Sequence, residues 1–170
     1  MNIFIISDTH FGHRKLIEFG RPEDFEEKIL KSLRNKFSPG DVLIHLGDIC
    51  IGKDEEMVNK FTKALPLDVR LILVRGNHDH KSMAWYLNHG FDMVVDEMSF
   101  KYMGKKLLFT HAPQIPEPQK YDRNIHGHTH GNTHRDMESG AFYDKTFYHT
   151  EVALELNGYR MVSLKELLGL

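Results

Sequence analysis

Residues 2–10 read NIFIISDTH, an unbroken apolar and β-branched run followed at once by polar side chains that can bind metal. A short run of this kind without alternation is typical of a strand that is buried on both faces. The same change recurs in DVLIHLGD at residues 41–48 and in VRLILVRGNHD at residues 69–79. The three stretches predict buried strands of an α/β sheet, each with polar groups at its end.

Helical patterns fill the intervals after these strands. Residues 23–36 carry apolar side chains at helical spacing just after Pro22, a favoured residue at the start of a helix. Residues 54–65 predict an amphipathic helix that Pro66 ends, and residues 81–88 predict a third helix. The first half of the chain therefore has the order βαβαβ followed by a helix.

The second half of the chain changes to short strands joined by turns. Strands are predicted over residues 94–95, 98–102 and 106–110, and in a run that ends at Ile125. Together the two halves favour an α/β fold in which two mixed sheets pack face to face with helices outside. Because no linker or repeat interrupts the pattern, residues 1–170 are expected to form a single domain.

The C-terminal stretch predicts a hairpin and a capped helix. Residues 152–163 read VALELNGYRMVS, in which Asn157-Gly158 is the signal of a type I′ turn between two strands. Ser163 and Glu166 then have the spacing of a capping box, which predicts a short final helix.

Composition excludes several classes of function. The formal net charge of −2 gives no chain-wide positive field for nucleic acid or an anionic membrane, so an anionic substrate needs a local cation site. Cys50 is the only cysteine, which excludes an intramolecular disulfide and a cysteine-based zinc knuckle. The apolar run at the N-terminus is too short for a signal peptide or membrane span, so a cytoplasmic location is expected.

Five segments that follow strand-like runs are rich in metal-binding groups. They are Asp8-Thr9-His10, Gly47-Asp48, Gly76-Asn77-His78-Asp79, His111 and Gly127-His128-Thr129-His130. Ligand sites of α/β sheets lie beyond the carboxyl ends of the strands, so segments far apart in sequence can meet in one pocket. Rigid strands also fix the position of each side chain, as a metal site requires.

The chemistry of these side chains suits divalent cations. Carboxylate, amide and imidazole groups favour Mn, Fe or Zn, and the lack of thiolates argues against a structural zinc. Asp8 and Asp48 can each place an oxygen on a metal, and one of them could bridge two metals. Two metals roughly 3.5–4 Å apart can clamp a phosphoryl group and generate hydroxide from water at neutral pH.

The five motifs, in this order over residues 8–130, resemble those of the calcineurin-like metallophosphoesterases. The family fold is a four-layer αββα sandwich, in agreement with the two sheets predicted above. The resemblance implies one metal on Asp8, His10, Asp48 and His130, and a second on Asp48, Asn77, His111 and His128. It also implies that Asp48 bridges the pair, that a metal-bound hydroxide attacks phosphorus in line, and that His78 faces the phosphate as a catalytic residue that binds no metal.

The sequence departs from the protein phosphatases of this superfamily. Their second motif extends to GD-x-x-DRG, whereas residues 47–53 read GDICIGK. Ile51 replaces the aspartate that orients the catalytic histidine there, and Gly52 replaces a phosphate-binding arginine. His13, three residues after His10, is a feature of small bacterial and phage members, and the chain lacks the inserted cap of the repair nucleases.

Several other residues have both a functional and a structural interpretation. Asn77 and His13 are candidate substrate contacts, although His13 can equally stand at the start of a helix. His45 and His126 fall within predicted strands and are expected to be structural. Arg21 flanks a motif and could bind phosphate, but a solvated or capping role is favoured.

Two activities and two inactive alternatives follow from these observations. The leading interpretation is a binuclear phosphodiesterase of small nucleotide-type substrates such as 2′,3′-cyclic nucleotides, and a phosphomonoesterase is the alternative. A silent binding module or a structural metal protein is less favoured, because every expected ligand and His78 are present.

Manganese is the expected metal, with Fe, Zn, Ni or Co as alternatives. The expected partner is a small phosphoester or nucleotide, without a stable nucleic-acid complex or a membrane; the oligomeric state is not predicted.

Overall fold

The computed structural model describes residues 1–34, 36–115, 117, 119–131 and 147–170. The strands are β1 Ile3–Ile6, β2 Val42–His45, β3 Arg70–Val74, β4 Met93–Val95, β5 Glu97–Tyr102, β6 Lys105–Thr110, β7 Arg123–His126, β8 His149–Glu151 and β9 Val162–Ser163. The helices are α1 Phe25–Arg34, α2 Asp54–Thr62, α3 Met83–Asn88 and α4 Leu164–Leu168, with a 3₁₀ helix at Arg14–Ile17. The strands and helices predicted for the first half are thus confirmed, with ends shifted by a few residues.

The strands form two mixed sheets. The first sheet has the order β4-β3-β2-β1-β9, in which β1 to β4 are parallel and β9 runs antiparallel to β1. The second has the order β5-β6-β7-β8, in which β5 is antiparallel to β6 and the other pairs are parallel. In the parallel parts, the carboxyl ends of neighbouring strands meet at one edge, where the polar motifs follow.

The first sheet is buried on both faces, which explains the uninterrupted apolar runs in its sequence. Side chains on one face pack against α1, α2 and α3; they include Ile6, Leu43, Leu71 and Leu73. Side chains on the other face, Ile5, Ile44 and Val74, pack against Leu107, Phe109 and Ile125 of the second sheet. Each fully buried side chain of this size contributes roughly 1.5–3 kcal/mol to folding.

The predicted α/β fold with two mixed sheets packed face to face is confirmed. Helices cover the outer face of the first sheet. Within the described residues, the segment after β6 lies on the outer face of the second sheet. Its Gln114 backbone N–H donates to Asn124 Oδ1 at 2.8 Å. Of the described helices, none is long and apolar enough to cross a membrane.

The predicted hairpin over residues 152–163 is wrong. Residues 152–161 form no strand; β8 ends at Glu151 in the second sheet, and β9 begins at Val162 in the first. The Asn157-Gly158 pair does turn the chain, but the backbone N–H groups of Asn157 and Tyr159 both donate to the Leu154 carbonyl instead of pairing two strands. The segment is therefore the crossover between the sheets, whereas the predicted Ser163 cap of α4 is confirmed.

Candidate functional site

The predicted metal-binding side chains meet at the carboxyl ends of five strands. Two groups of histidine and carboxylate atoms lie close enough to hold a cation, each with its atoms within 4.8 Å of one another. The first group is Asp8, His10 and His130, and the second is Asp48, His111 and His128. The two aspartates and His10 follow strands of the first sheet, while the other three histidines follow β6 and β7 of the second. Each group therefore takes side chains from both sheets.

The first group brings one possible ligand atom from each of three side chains close together. His130 Nε2 lies 3.2 Å from His10 Nε2 and 3.8 Å from Asp8 Oδ1. Asp8 Oδ2 accepts the His128 backbone N–H at 2.9 Å, whereas Asp8 Oδ1 is buried without a hydrogen-bond partner. A buried carboxylate oxygen without a donor is costly, and a cation at this position would satisfy it.

The second group contains four acceptor atoms, because Asn77 joins it. His111 Nε2 lies 2.7 Å from Asn77 Oδ1, 3.0 Å from His128 Nδ1 and 3.5 Å from Asp48 Oδ2. His111 Nδ1 lies 2.7 Å from the Leu46 carbonyl and must donate its proton there. In the neutral ring, Nε2 then presents a lone pair to the other acceptors, an arrangement that fits a shared cation.

Asp48 stands between the two groups. Its Oδ2 lies 3.6 Å from His10 Nε2 in the first group and 3.5 Å from His111 Nε2 in the second. Its Oδ1 accepts the His78 backbone N–H at 3.0 Å, which fixes the carboxylate. Asp48 Oδ2 is therefore close enough to both groups to be a ligand of a cation in each.

Most of these side chains project from a rare backbone conformation. Five of them have a positive φ, namely Asp8 (54°), His10 (45°), Asp48 (60°), His128 (71°) and His130 (49°). A non-glycine residue in this region costs on the order of 1–3 kcal/mol and is found mainly where function requires it. The strain is concentrated at the donor groups, which marks them as a functional site.

The glycines of the motifs allow the segments to approach closely. A side chain at Gly127 would overlap Ser7 Oγ and Asp8 Oδ2, and one at Gly76 would overlap Asp48 Oδ1. Only glycine permits this approach of one backbone to a neighbouring carboxylate. The glycines before Asn77 and His128 thus have a steric role that the motifs alone do not reveal.

Comparison with known proteins agrees with this geometry. Residues 1–143 match the calcineurin-like phosphoesterase superfamily domain. The chain belongs to this superfamily. The protein of unknown function AQ665 from Aquifex aeolicus has a crystal structure that is similar over 99% of this chain and 98% of that one, with 32% identity and a TM-score of 0.76.

Two further relatives are similar over most of their length. The uncharacterized protein MJ1445 of Methanocaldococcus jannaschii is 28% identical over 172 residues, which cover 95% of this chain and 86% of that protein. A structure described as a novel archaeal phosphodiesterase matches 96% of this chain and 100% of its own, with 21% identity and a TM-score of 0.48. The family match and the donor groups make the chain a metal-dependent phosphoesterase.

Burial and mutual charge shift the pKa values of the ionisable groups in the phosphoesterase site. Burial, together with the charge of Asp8, raises the pKa of Asp48 to about 8. Burial also acts to raise the pKa of Asp8, but the nearby imidazoles of His111 and His130 outweigh it and hold that pKa below its usual range. Burial holds the pKa of His10 well below its usual value, so this ring is neutral and can offer a lone pair.

Asp79 supports the phosphoesterase site without belonging to either donor group. Its buried carboxylate accepts the backbone N–H groups of Asp48 and Gly76 at 2.8 Å and of Ile49 at 3.2 Å. These bonds hold the turn that carries Asp48 against the turn that carries Asn77. Asp79 lies in the third motif, whose pattern alone does not indicate this role.

Arg21 and Glu155 pair beside the donor groups, and no signal in the sequence predicts a role for Glu155. Arg21 is 4% exposed, and its guanidinium donates to Glu155 Oε1 at 2.8 Å and to the Asp8 carbonyl at 2.9 Å. Glu155 Oε1 also lies 3.1 Å from His130 Nδ1, which orients the opposite nitrogen toward the cation site. The solvated or capping role predicted for Arg21 is half right, because it is buried but does bind main-chain carbonyls.

The remaining predicted site residues line a cleft of about 700 Å³ above the donor groups. His78 is 40% exposed by side chain, with Nε2 3.9 Å from Asp48 Oδ2, and it belongs to neither donor group. His13 and Asn77 also line the cleft, and the ring centroid of His13 lies 5.8 Å from that of His10. Seven of the nine predicted residues line this cleft, and the other two, Asp8 and His111, belong to the donor groups at its floor.

His45 and His126 lie within strands, as predicted, and both are fully buried. The Gly47 backbone N–H donates to His45 Nδ1 at 3.0 Å, so His45 Nε2 carries the proton and donates to Thr9 Oγ1, also at 3.0 Å. Burial lowers the pKa of His45 to about 3. This ring thus ties two ligand-bearing turns together in its neutral form.

Proposed function

We propose that the chain is a binuclear phosphodiesterase of small nucleotide-type substrates, with 2′,3′-cyclic nucleotides among them. The position of Asp48 Oδ2, within 3.6 Å of His10 Nε2 and 3.5 Å of His111 Nε2, carries the proposal. An oxygen between two clusters of lone pairs is the arrangement expected of a ligand shared by two cations.

The first cation would be held by Asp8, His10, Asp48 and His130, and the second by Asp48, Asn77, His111 and His128. Bound there, the cations would neutralise phosphoryl charge and supply an acidified water at neutral pH. Manganese is the proposed metal because the donors are oxygen and nitrogen atoms, with Fe, Zn, Ni and Co as alternatives. Cys50 takes no part, since it is buried and its thiol pKa is raised to about 12.

His78 is proposed as the proton donor to the leaving oxygen. Its backbone N–H is tied to Asp48 Oδ1, which holds the residue at the edge of the donor groups. Its exposed side chain faces the cleft beside His10, with ring centroids 5.6 Å apart. A general acid needs this combination of a fixed backbone and access to the substrate.

Charge in the cleft favours a diester over a monoester. Arg21 is the one arginine among the described residues that line the cleft, and it is already paired with Glu155 at 2.7 Å. Gly52 offers no side chain where protein phosphatases have a phosphate-binding arginine, and His13 adds only an imidazole. A singly charged diester needs less compensation beyond the cations than a doubly charged monoester does.

The substrate class is tested by comparing kcat/KM for 2′,3′-cyclic AMP, its 3′,5′ isomer and AMP with manganese. We expect the 2′,3′-cyclic compound to be hydrolysed fastest, because its ring is strained and its leaving group is a ribose oxygen that His78 can protonate. Faster hydrolysis of AMP than of either cyclic compound would exclude the diesterase and support the phosphomonoesterase.

Replacing His78 with alanine should leave the cations bound and lower turnover by about 10²–10⁴-fold, the usual contribution of a general acid. The loss should shrink on aryl esters, whose leaving groups need no proton. The neighbouring exposed His80, with its ring centroid 6.3 Å from that of His78, gives the matched control in His80→Ala. An equal loss on aryl and alkyl esters would contradict proton donation and indicate charge stabilisation.

A further inference from the structure

One wall of the cleft is apolar, in contrast to the donor groups at its floor. It is made of Leu16, Phe19, Ile51 and Tyr159, and two of these side chains are aromatic. Ile51 occupies the position where protein phosphatases have an aspartate, so the departure from their pattern adds apolar surface beside the metal site. Neither the donor groups nor the proton donor uses these side chains.

Phe19 presents its ring to solvent at the mouth of the cleft. The residue is 73% exposed, although hydrogen bonds fix the turn that carries it. The Leu16 carbonyl accepts the backbone N–H groups of both Phe19 and Arg21, at 3.1 and 3.0 Å. The Lys15 ammonium also lies 5.9 Å from the ring centroid, which restrains the ring by a cation–π contact.

Tyr159 is held in the same wall by a strained backbone. Its φ of 60° is an outlier for a bulky residue, and its N–H donates to the Leu154 carbonyl at 3.0 Å. The Arg21 guanidinium lies 5.9 Å from its ring centroid, so the arginine that supports His130 also restrains the wall. Strain of this kind persists where the position of a side chain serves a function.

We propose that these four side chains form a subsite for a flat aromatic group of the substrate, a nucleobase or an aryl ring. The proposal rests on the proposed function, because the phosphoryl group must lie at the donor groups for its substituent to reach the wall. Aromatic side chains stack on planar rings without reading their hydrogen-bond pattern, so the subsite selects for a flat ring and not for one base.

The experiment measures binding without turnover, by titration calorimetry on the manganese-loaded protein. One ligand pair is the phosphonate analogues of AMP and ribose 5-phosphate, which differ by the base. The other is phenylphosphonate and methylphosphonate, which differ by an aryl ring. Carbon–phosphorus bonds prevent hydrolysis of all four, so the result stands even if the protein proves not to be a diesterase.

The wild type should prefer the ring-bearing member of a pair, and Phe19→Ala should weaken that member about tenfold while sparing the other. Phe19→Leu, which keeps apolar surface but no ring, should behave like the alanine variant. Leu67→Ala, at a fully exposed residue ahead of β3, should match the wild type. If Phe19→Ala weakens binding of the AMP analogue relative to the ribose 5-phosphate analogue, the group bound is a nucleobase. If it weakens only phenylphosphonate relative to methylphosphonate, the group bound is an aryl ring. No preference in the wild type, or equal weakening of all four ligands, would overturn the subsite.

Discussion

Protein stripped of divalent cations by a chelator is expected to lose phosphoester hydrolysis completely and to recover it with manganese. Without cations, the seven donor residues supply no divalent charge to attract and neutralise an anionic phosphoryl group. A bound metal would also lower the pKa of its water to about 7 and so provide hydroxide at neutral pH. No described side chain is proposed to replace this nucleophile. The measurement is hydrolysis of an aryl phosphodiester against added Mn, Fe, Zn, Ni or Co.

Recovery must be distinguished from refolding. Far-ultraviolet circular dichroism of the stripped protein should remain that of the folded chain, because the apolar core does not involve the donor groups. Full activity after verified removal of metal would exclude the proposed mechanism.

Asp48→Asn should lower turnover nearly to the level of the stripped protein, more than any other single ligand change. Asp48 belongs to the second donor group and also lies 3.6 Å from His10 of the first, so we expect its loss to disturb both cations at once. A loss of several kcal/mol of transition-state stabilisation corresponds to about 10³-fold or more in rate. Turnover and metal stoichiometry should be measured on the same preparation.

Proton release gives an independent measurement for the same variant. Because the pKa of Asp48 is raised to about 8, its carboxyl is mostly protonated at pH 7 without a cation. The protonated carboxyl stabilises the metal-free fold at low pH. This contribution to folding stability is lost as the pH rises through about 8. Metal uptake by the wild type at pH 7 should therefore release on the order of one proton from Asp48. The Asp48→Asn variant should release fewer protons, because it lacks this carboxyl.

The exposed Asp68→Asn, at the opposite end of the strands, is the matched control and should keep both activity and proton release. Two bound cations and a near-normal rate in Asp48→Asn would show that another residue is shared.

The strand ends could be predicted because burial and chemistry both leave a local mark in the sequence. A strand such as β1, buried on both faces, has an uninterrupted apolar run, and Asp8 and His10 follow it directly. Since parallel strands place their carboxyl ends together, the convergence of five motifs followed from topology. The division into two donor groups came from the resemblance of the five motifs to those of the calcineurin-like metallophosphoesterases.

Features that depend on partners far away in the sequence could not be predicted in this way. Arg21 and Glu155 are 134 residues apart and pair only because the crossover between the sheets passes the first motif. The same crossover misled the hairpin prediction, because Asn157-Gly158 specifies a turn but not which sheet receives the next strand. Glu155 was therefore assigned to a strand arm when its carboxylate orients His130.

Because each donor group takes side chains from both sheets, bound cations would cross-link the two sheets. Neither sheet alone holds a complete group, so affinity for metal arises only after the sheets have docked. Binding then adds to folding stability by mass action, by about 2.7 kcal/mol when free metal stands at 100 times its dissociation constant. The supply of metal would therefore change the folding stability of the chain as well as its activity, and metal-free protein would unfold at a lower temperature than metal-loaded protein.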